Sequence, residues 1–116
     1  KQKKKNSTNS ILVKQISSAL KGVKKKDRII FAYEPVWSIG TGLIPKSKDL
    51  TKTIMFVKNK LKNKFRFKFP KVLYGGSVNP NNIKKLKEIK IIDGFLIGGA
   101  SQKSKNFIDI VKKTFI

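Results

Sequence analysis

One unit recurs three times along this chain: a short apolar run, a loop of small residues, and an amphipathic stretch with helical spacing. Ile29 to Tyr33 leads into a glycine-containing loop and then into a helix pattern that Ser47 can cap, with Leu50, Ile54, Phe56, Val57 and Leu61 as its apolar positions. Lys71 to Tyr74 leads into Gly75-Gly76-Ser77 and a short helix that opens at Asn79-Pro80, Asn as cap and Pro at the first helical position. That helix carries Ile83, Leu86 and Ile89. Gly94 to Ile97 leads into Gly98-Gly99 and a last helix over about Ser104 to Thr114, whose Phe107, Ile108, Ile110 and Val111 are expected to face inward. Strands that alternate with helices run parallel, because each helix returns the chain to the same end of the sheet. The fold class is therefore α/β.

The rest of the chain fits around these units. Lys1 to Asn6 reads as a charged lead-in without structure. Ser7 to Asn9 offers caps for one preceding helix, whose stripe is Ile11, Leu12, Gln15, Ile16, Ala19 and Leu20, with Gly22 as its stop. Phe65, Phe67 and Phe69 alternate as a strand would, but Pro70 follows at once, so the segment is read as an irregular approach to the next strand.

Composition narrows the chemistry. Cysteine and histidine are both absent, which removes disulfides, thiol chemistry and imidazole from these residues. No apolar run approaches the roughly 20 residues of a membrane span, and Lys1 to Lys5 lead into polar residues rather than into the apolar core of a leader. The expectation is a cytoplasmic protein with no membrane partner. The net charge of +22 raises nucleic-acid binding. The basic residues are nearly all Lys, however, with only Arg28 and Arg66 suited to bidentate base contacts, and they are spread along the chain. A solvated Lys-rich surface is the preferred reading, with a basic field that draws in anions; nucleic acid is not the expected partner.

The most informative loop begins at Ala32-Tyr33-Glu34-Pro35-Val36-Trp37-Ser38-Ile39-Gly40-Thr41-Gly42. It puts one carboxylate at the end of an apolar strand, where parallel sheets gather their ligands and chemistry. By spacing alone the default is plainer: a strand that stops in a solvated Glu, followed by a glycine turn. A single Gly-Gly pair likewise reads first as a tight turn, whereas two pairs, each directly after a parallel strand, suit an anion cradle.

This stretch resembles the signature of the triosephosphate isomerase family at every position. Leu73-Tyr74-Gly75-Gly76-Ser77-Val78 and Asp93-Gly94-Phe95-Leu96-Ile97-Gly98-Gly99-Ala100-Ser101 resemble two further family motifs in the same order. The resemblance runs from about Asn9 to the end. It implies a partial TIM (β/α)8 barrel, the last three strand–helix units preceded by one helix, with 1–116 as the C-terminal fragment of a single barrel domain. A complete barrel needs about 250 residues. The chain also lacks an initiator Met and ends where the family ends, so it is read as the second part of a longer or split protein.

The activity implied is interconversion of dihydroxyacetone phosphate and D-glyceraldehyde 3-phosphate in glycolysis and gluconeogenesis. Glu34 matches the catalytic base, which moves a proton between neighbouring carbons; a carboxylate suits this once desolvation lifts its proton affinity, and this family is itself a standard illustration of such tuning. Pro35, Val36, Trp37, Ile39, Thr41 and Gly42 belong to the lid, a gating loop for which the family is again a standard example. The resemblance gives Gly40, Ser77, Gly98 and Gly99 to the substrate phosphate, makes the Tyr74 hydroxyl the latch of the shut lid, and has Ile39 and Leu96 close over the base. No cofactor and no metal are implied. The family works as a homodimer, and its Lys, Asn and His, which the other half of the barrel supplies, match nothing here. Residues 1–116 alone are therefore expected to be inactive, with a separate N-terminal half as the needed partner. The alternative is a non-enzymatic remnant, or a basic half-barrel that binds phosphate or nucleic acid.

Overall fold

The computed structural model describes residues 5–25, 28–35 and 43–115. In chain order the elements are α1 (Lys5–Leu20), β1 (Phe31–Tyr33), α2 (Ser47–Asn63), β2 (Val72–Gly75), α3 (Ile83–Lys87), β3 (Gly94–Leu96) and α4 (Ser104–Phe115). A single 3₁₀ turn, Gly99–Gln102, links β3 to α4. The sheet has the order β1-β2-β3 and both pairings are parallel. No helix among the described residues is long and apolar enough to cross a membrane.

The period-two alternation of strands explains which face is covered. In register, Phe31 pairs with Val72, Tyr33 with Tyr74, and Tyr74 with Phe95. These residues share the face that meets the helices: Val72 and Tyr74 are fully buried, and Phe31 stacks edge-on against Phe67 at 5.4 Å between ring centroids. Against this face α2 sets Leu50, Ile54, Val57 and Leu61, one stripe at spacings of four, three and four, and all four are buried. Ile16 and Leu20 of α1, Ile83 and Leu86 of α3 and Ile110 of α4 join the same core. Desolvation pushes the Tyr33 phenol above its ordinary range, helped by Tyr74 and opposed by its hydrogen bond with Thr53 of α2.

The opposite face is open. Ala32, Glu34 and Leu96 lie on it by alternation and are exposed, and Ile30, just before β1, is 63% exposed. The result is a slab of 40 × 37 × 23 Å with helices on one side and an uncovered sheet on the other. Two expectations need correcting. Of the four residues meant to face inward on α4 only Ile110 is buried, while Phe107, Ile108 and Val111 are 39–51% exposed; α4 packs on α3 and the 3₁₀ turn, and the described residues leave those three side chains largely uncovered. The helical conformation also begins at Lys5, inside what reads as a structureless lead-in.

The amino end of the sheet is tied by one carboxylate. Asp93 Oδ2 accepts the backbone N–H of Val72 at 2.8 Å and pairs with Lys58 Nζ at 2.9 Å, while the Asp93 N–H donates to the Val72 carbonyl at 3.0 Å. Desolvation raises the Asp93 carboxyl. The hydrogen bonds from Lys58 and Val72 and the charges of Lys58 and Lys71 outweigh it and hold the group below its usual range. The segment before β2 is irregular, with Arg66 at φ 67° and Phe69 83% exposed, as the proline after the alternating Phe residues implied.

Candidate active site

Glu34 leaves the carboxyl end of β1. A residue before proline is kept extended by the proline ring, so Glu34 continues the strand alternation and its side chain goes to the open face. Pro35 itself is buried and anchors the exit from the strand. The register that pairs Tyr33 with Tyr74 puts Glu34 beside Gly75, and Gly75 pairs with Leu96. A Cβ built on Gly75 would stand 2.8 Å from both Cγ and Oε2 of Glu34. The carboxylate thus rests across β2 at a position without a side chain, with Leu96 on the next strand completing the row.

Two loops leave the same end of the sheet. After β2, Gly76 has φ 121° and Ser77 φ 59°. The left-handed region costs an L residue about 1–2 kcal/mol, and Ser77 is held there by its neighbours. Its carbonyl accepts Asn82 Nδ2 at 2.7 Å and Asn79 Nδ2 at 3.2 Å. Asn82 Oδ1 in turn accepts the Asn79 N–H at 2.9 Å, and Asn79 Oδ1 accepts the N–H groups of Asn81 and Asn82 at 2.8 and 3.1 Å. Asn79 therefore caps a turn, as its sequence predicts, but α3 starts only at Ile83. After β3, the Gly98 carbonyl accepts both the N–H and the hydroxyl of Ser101, at 2.9 and 2.6 Å. A Cβ at Gly98 or Gly99 would meet nothing within 4 Å, so the space above this loop is open.

The structure therefore places Glu34, Leu96, Ser77, Gly98 and Gly99 at one end of one sheet. The Tyr74 ring is buried on the helix side, and its hydroxyl donates to the Gly76 carbonyl at 3.1 Å. Val36, Trp37, Ile39, Gly40, Thr41 and Gly42 lie outside the described residues. Sequence reasoning put Gly75 in a glycine pair suited to an anion cradle rather than against the acid, and assigned no part to Asn82. The i, i+3 spacing of the two Asn residues was the available signal for the second; nothing local announces the first.

A parallel three-stranded sheet with helices on one face, and a carboxylate and two glycine loops at its carboxyl end, is an α/β arrangement consistent with part of a barrel. Residues 1–114 match the family model for triosephosphate isomerase. The chain belongs to the triosephosphate isomerase family. Among curated relatives, it is 39% identical over 109 residues to the triosephosphate isomerase of Thermodesulfovibrio yellowstonii, a match covering 92% of this chain and 44% of that protein. It is 41% identical over 107 residues to that of Rhizobium meliloti (90% and 42%) and 38% identical over 116 residues to that of Dictyoglomus turgidum (96% and 47%). The chain thus spans less than half the length of the curated relatives it matches.

Proposed function

We propose that this chain is the C-terminal part of a triosephosphate isomerase, which interconverts dihydroxyacetone phosphate and glyceraldehyde 3-phosphate with Glu34 as the base. The observation that carries the reading is the placement of Glu34 across Gly75 at the carboxyl end of β2, beside the loops of Ser77 and of Gly98–Gly99.

In this reading the three strands are the last three of an eight-stranded barrel, preceded by one helix. The open face that carries Ile30, Ala32 and Leu96 becomes the barrel interior once the remaining strands close it. Substrate enters at the carboxyl end of the strands. Backbone donors around Ser77 and Gly98–Gly99, with Gly40 of the lid, take its phosphate. Glu34 removes the proton from the carbon beside the carbonyl and returns it to the neighbouring carbon, so no group is lost and no redox partner is needed. The lid from Pro35 to Pro45 shuts over the site, with Ile39 and Leu96 flanking the base and the Tyr74 hydroxyl holding the closed loop. The polarising groups come from the N-terminal half, so residues 1–116 alone do not turn over. The complete protein is a cytoplasmic homodimer.

The test uses a completed barrel: a chimera in which this chain replaces the matched 107-residue segment of the Rhizobium meliloti relative. It is expected to isomerise glyceraldehyde 3-phosphate. Glu34→Asp, which retracts the carboxylate by one methylene, should lower kcat by about a hundredfold or more with KM barely changed, because misplacement by about 1 Å costs that much. Unchanged turnover in the variant would remove Glu34 from the role.

A further inference from the structure

We infer that Gly75 is a positioning residue for the base: its missing side chain is the space in which the Glu34 carboxylate lies. The inference rests on the reading of Glu34 as the base and goes beyond the motif that contains Gly75. The backbone does not demand glycine here. Gly76 and Gly22 have positive φ, at 121° and 80°, and Gly75 does not, so an L side chain is conformationally allowed at this position. What excludes one is contact. The three atoms nearest a Cβ at Gly75 all belong to the Glu34 side chain: Cγ and Oε2 at 2.8 Å and Cδ at 3.1 Å.

No backbone atom stands among those three, so a methyl group at this position displaces the carboxylate and leaves the sheet in place. The contrast with Gly94 is instructive. A Cβ there meets Leu73 Cδ2 at 2.9 Å, an ordinary packing neighbour with no chemistry of its own. At Gly75 the neighbour is the one carboxylate that ends a strand on the open face. The register fixes the rest of the trough, with β1 supplying Glu34 on one side and β3 supplying Leu96 on the other. Pro35 keeps Glu34 extended at its root, and Gly75 decides where the tip lies.

The experiment is Gly75→Ala in the completed barrel. Contact between carbon atoms is ordinary from about 3.5 Å, so the carboxylate must retreat by about 0.7 Å. Turnover should fall by about 30-fold to 100-fold, with KM changed less than threefold and the melting temperature unchanged or slightly higher. A role in packing alone would move the melting temperature and leave kcat intact. The second arm is the double variant Gly75→Ala with Glu34→Ala. With Cγ, Cδ and Oε2 all removed nothing of residue 34 meets the methyl group, so adding Gly75→Ala to Glu34→Ala should cost the residual turnover less than threefold. An unchanged kcat for Gly75→Ala, or full additivity of the two losses, would overturn the inference while a dead Glu34→Gln enzyme left the base assignment standing. A Glu34→Gln enzyme with normal kcat would overturn both.

Discussion

Asn82→Ala tests how the loop of Ser77, proposed above to take the substrate phosphate, is held. Ser77 sits at φ 59°, a conformation that costs about 1–2 kcal/mol for an L residue and needs compensation. The compensation is visible: Asn82 donates to the Ser77 carbonyl at 2.7 Å and accepts from the Asn79 backbone at 2.9 Å. Truncation removes both bonds, each worth about 0.5–1.5 kcal/mol net. Asn79 Nδ2 remains on the same carbonyl, but at 3.2 Å it is the longer bond. A loss of about 2 kcal/mol exceeds the lower estimate of the strain it offsets, so Ser77 relaxes out of the left-handed region in the substrate-free enzyme. Rebinding phosphate must then restore it, at a cost of about 1.4 kcal/mol, which is a factor of ten in affinity. Steady-state kinetics of the completed barrel should show KM for glyceraldehyde 3-phosphate raised about tenfold and inhibition by inorganic phosphate weakened by the same factor. The change in kcat should stay below threefold. Adding Ser77→Gly to Asn82→Ala should recover most of the loss, because glycine adopts positive φ without strain and keeps the backbone N–H. Unchanged KM and phosphate inhibition in Asn82→Ala would show that Asn82 does not hold Ser77 in the left-handed region. So would a loss that Ser77→Gly does not relieve.

The tie at the other end of the sheet makes a pH prediction. Asp93 has its carboxyl held below the ordinary range, so its contribution to stability is fully present above the unfolded value, about pH 3.9, and is lost as pH falls through the folded value. Asp93→Asn should therefore lower stability at neutral pH by about 1 kcal/mol, a modest figure because Lys58 and Asp93 are partly solvated. The two unfolding curves should converge below about pH 4. Urea titrations of the completed barrel at a series of pH values read this directly, and a constant gap down to the acid limit would contradict it. Lys58→Met should remove part of the same acid dependence, since the Val72 N–H still donates to Asp93.

The parallel α/β order was legible because each unit carries its own local signals: β-rich apolar runs, small-residue loops, and the stripe of Leu50, Ile54, Val57 and Leu61 at helical spacing. Glu34 was legible as a strand-end acid and Asn79 as a cap for the same reason. What failed depended on partners distant in sequence. The apolar stripe of α4 is real, yet Phe107, Ile108 and Val111 stay exposed because no described residue covers them. Local periodicity reports a side chain's preference for burial and says nothing of whether its cover is present. Gly75 was silent for a related reason. A glycine kept free for a neighbour on another strand looks, in sequence, like a glycine kept free for a turn. The bond from Asn82 back to Ser77 spans five residues and crosses from helix entry to strand exit, so no propensity encodes it.

In the proposed function, the open sheet carrying Glu34 becomes an isomerase only when the rest of the barrel closes on it. The most direct measurement mixes residues 1–116 with a separately made N-terminal portion of a relative and follows isomerisation of glyceraldehyde 3-phosphate, with each part also assayed alone. Activity is expected in the mixture only, and should disappear when the chain carries Glu34→Gln. Turnover by residues 1–116 alone, or a mixture whose activity survives Glu34→Gln, would contradict the proposed function.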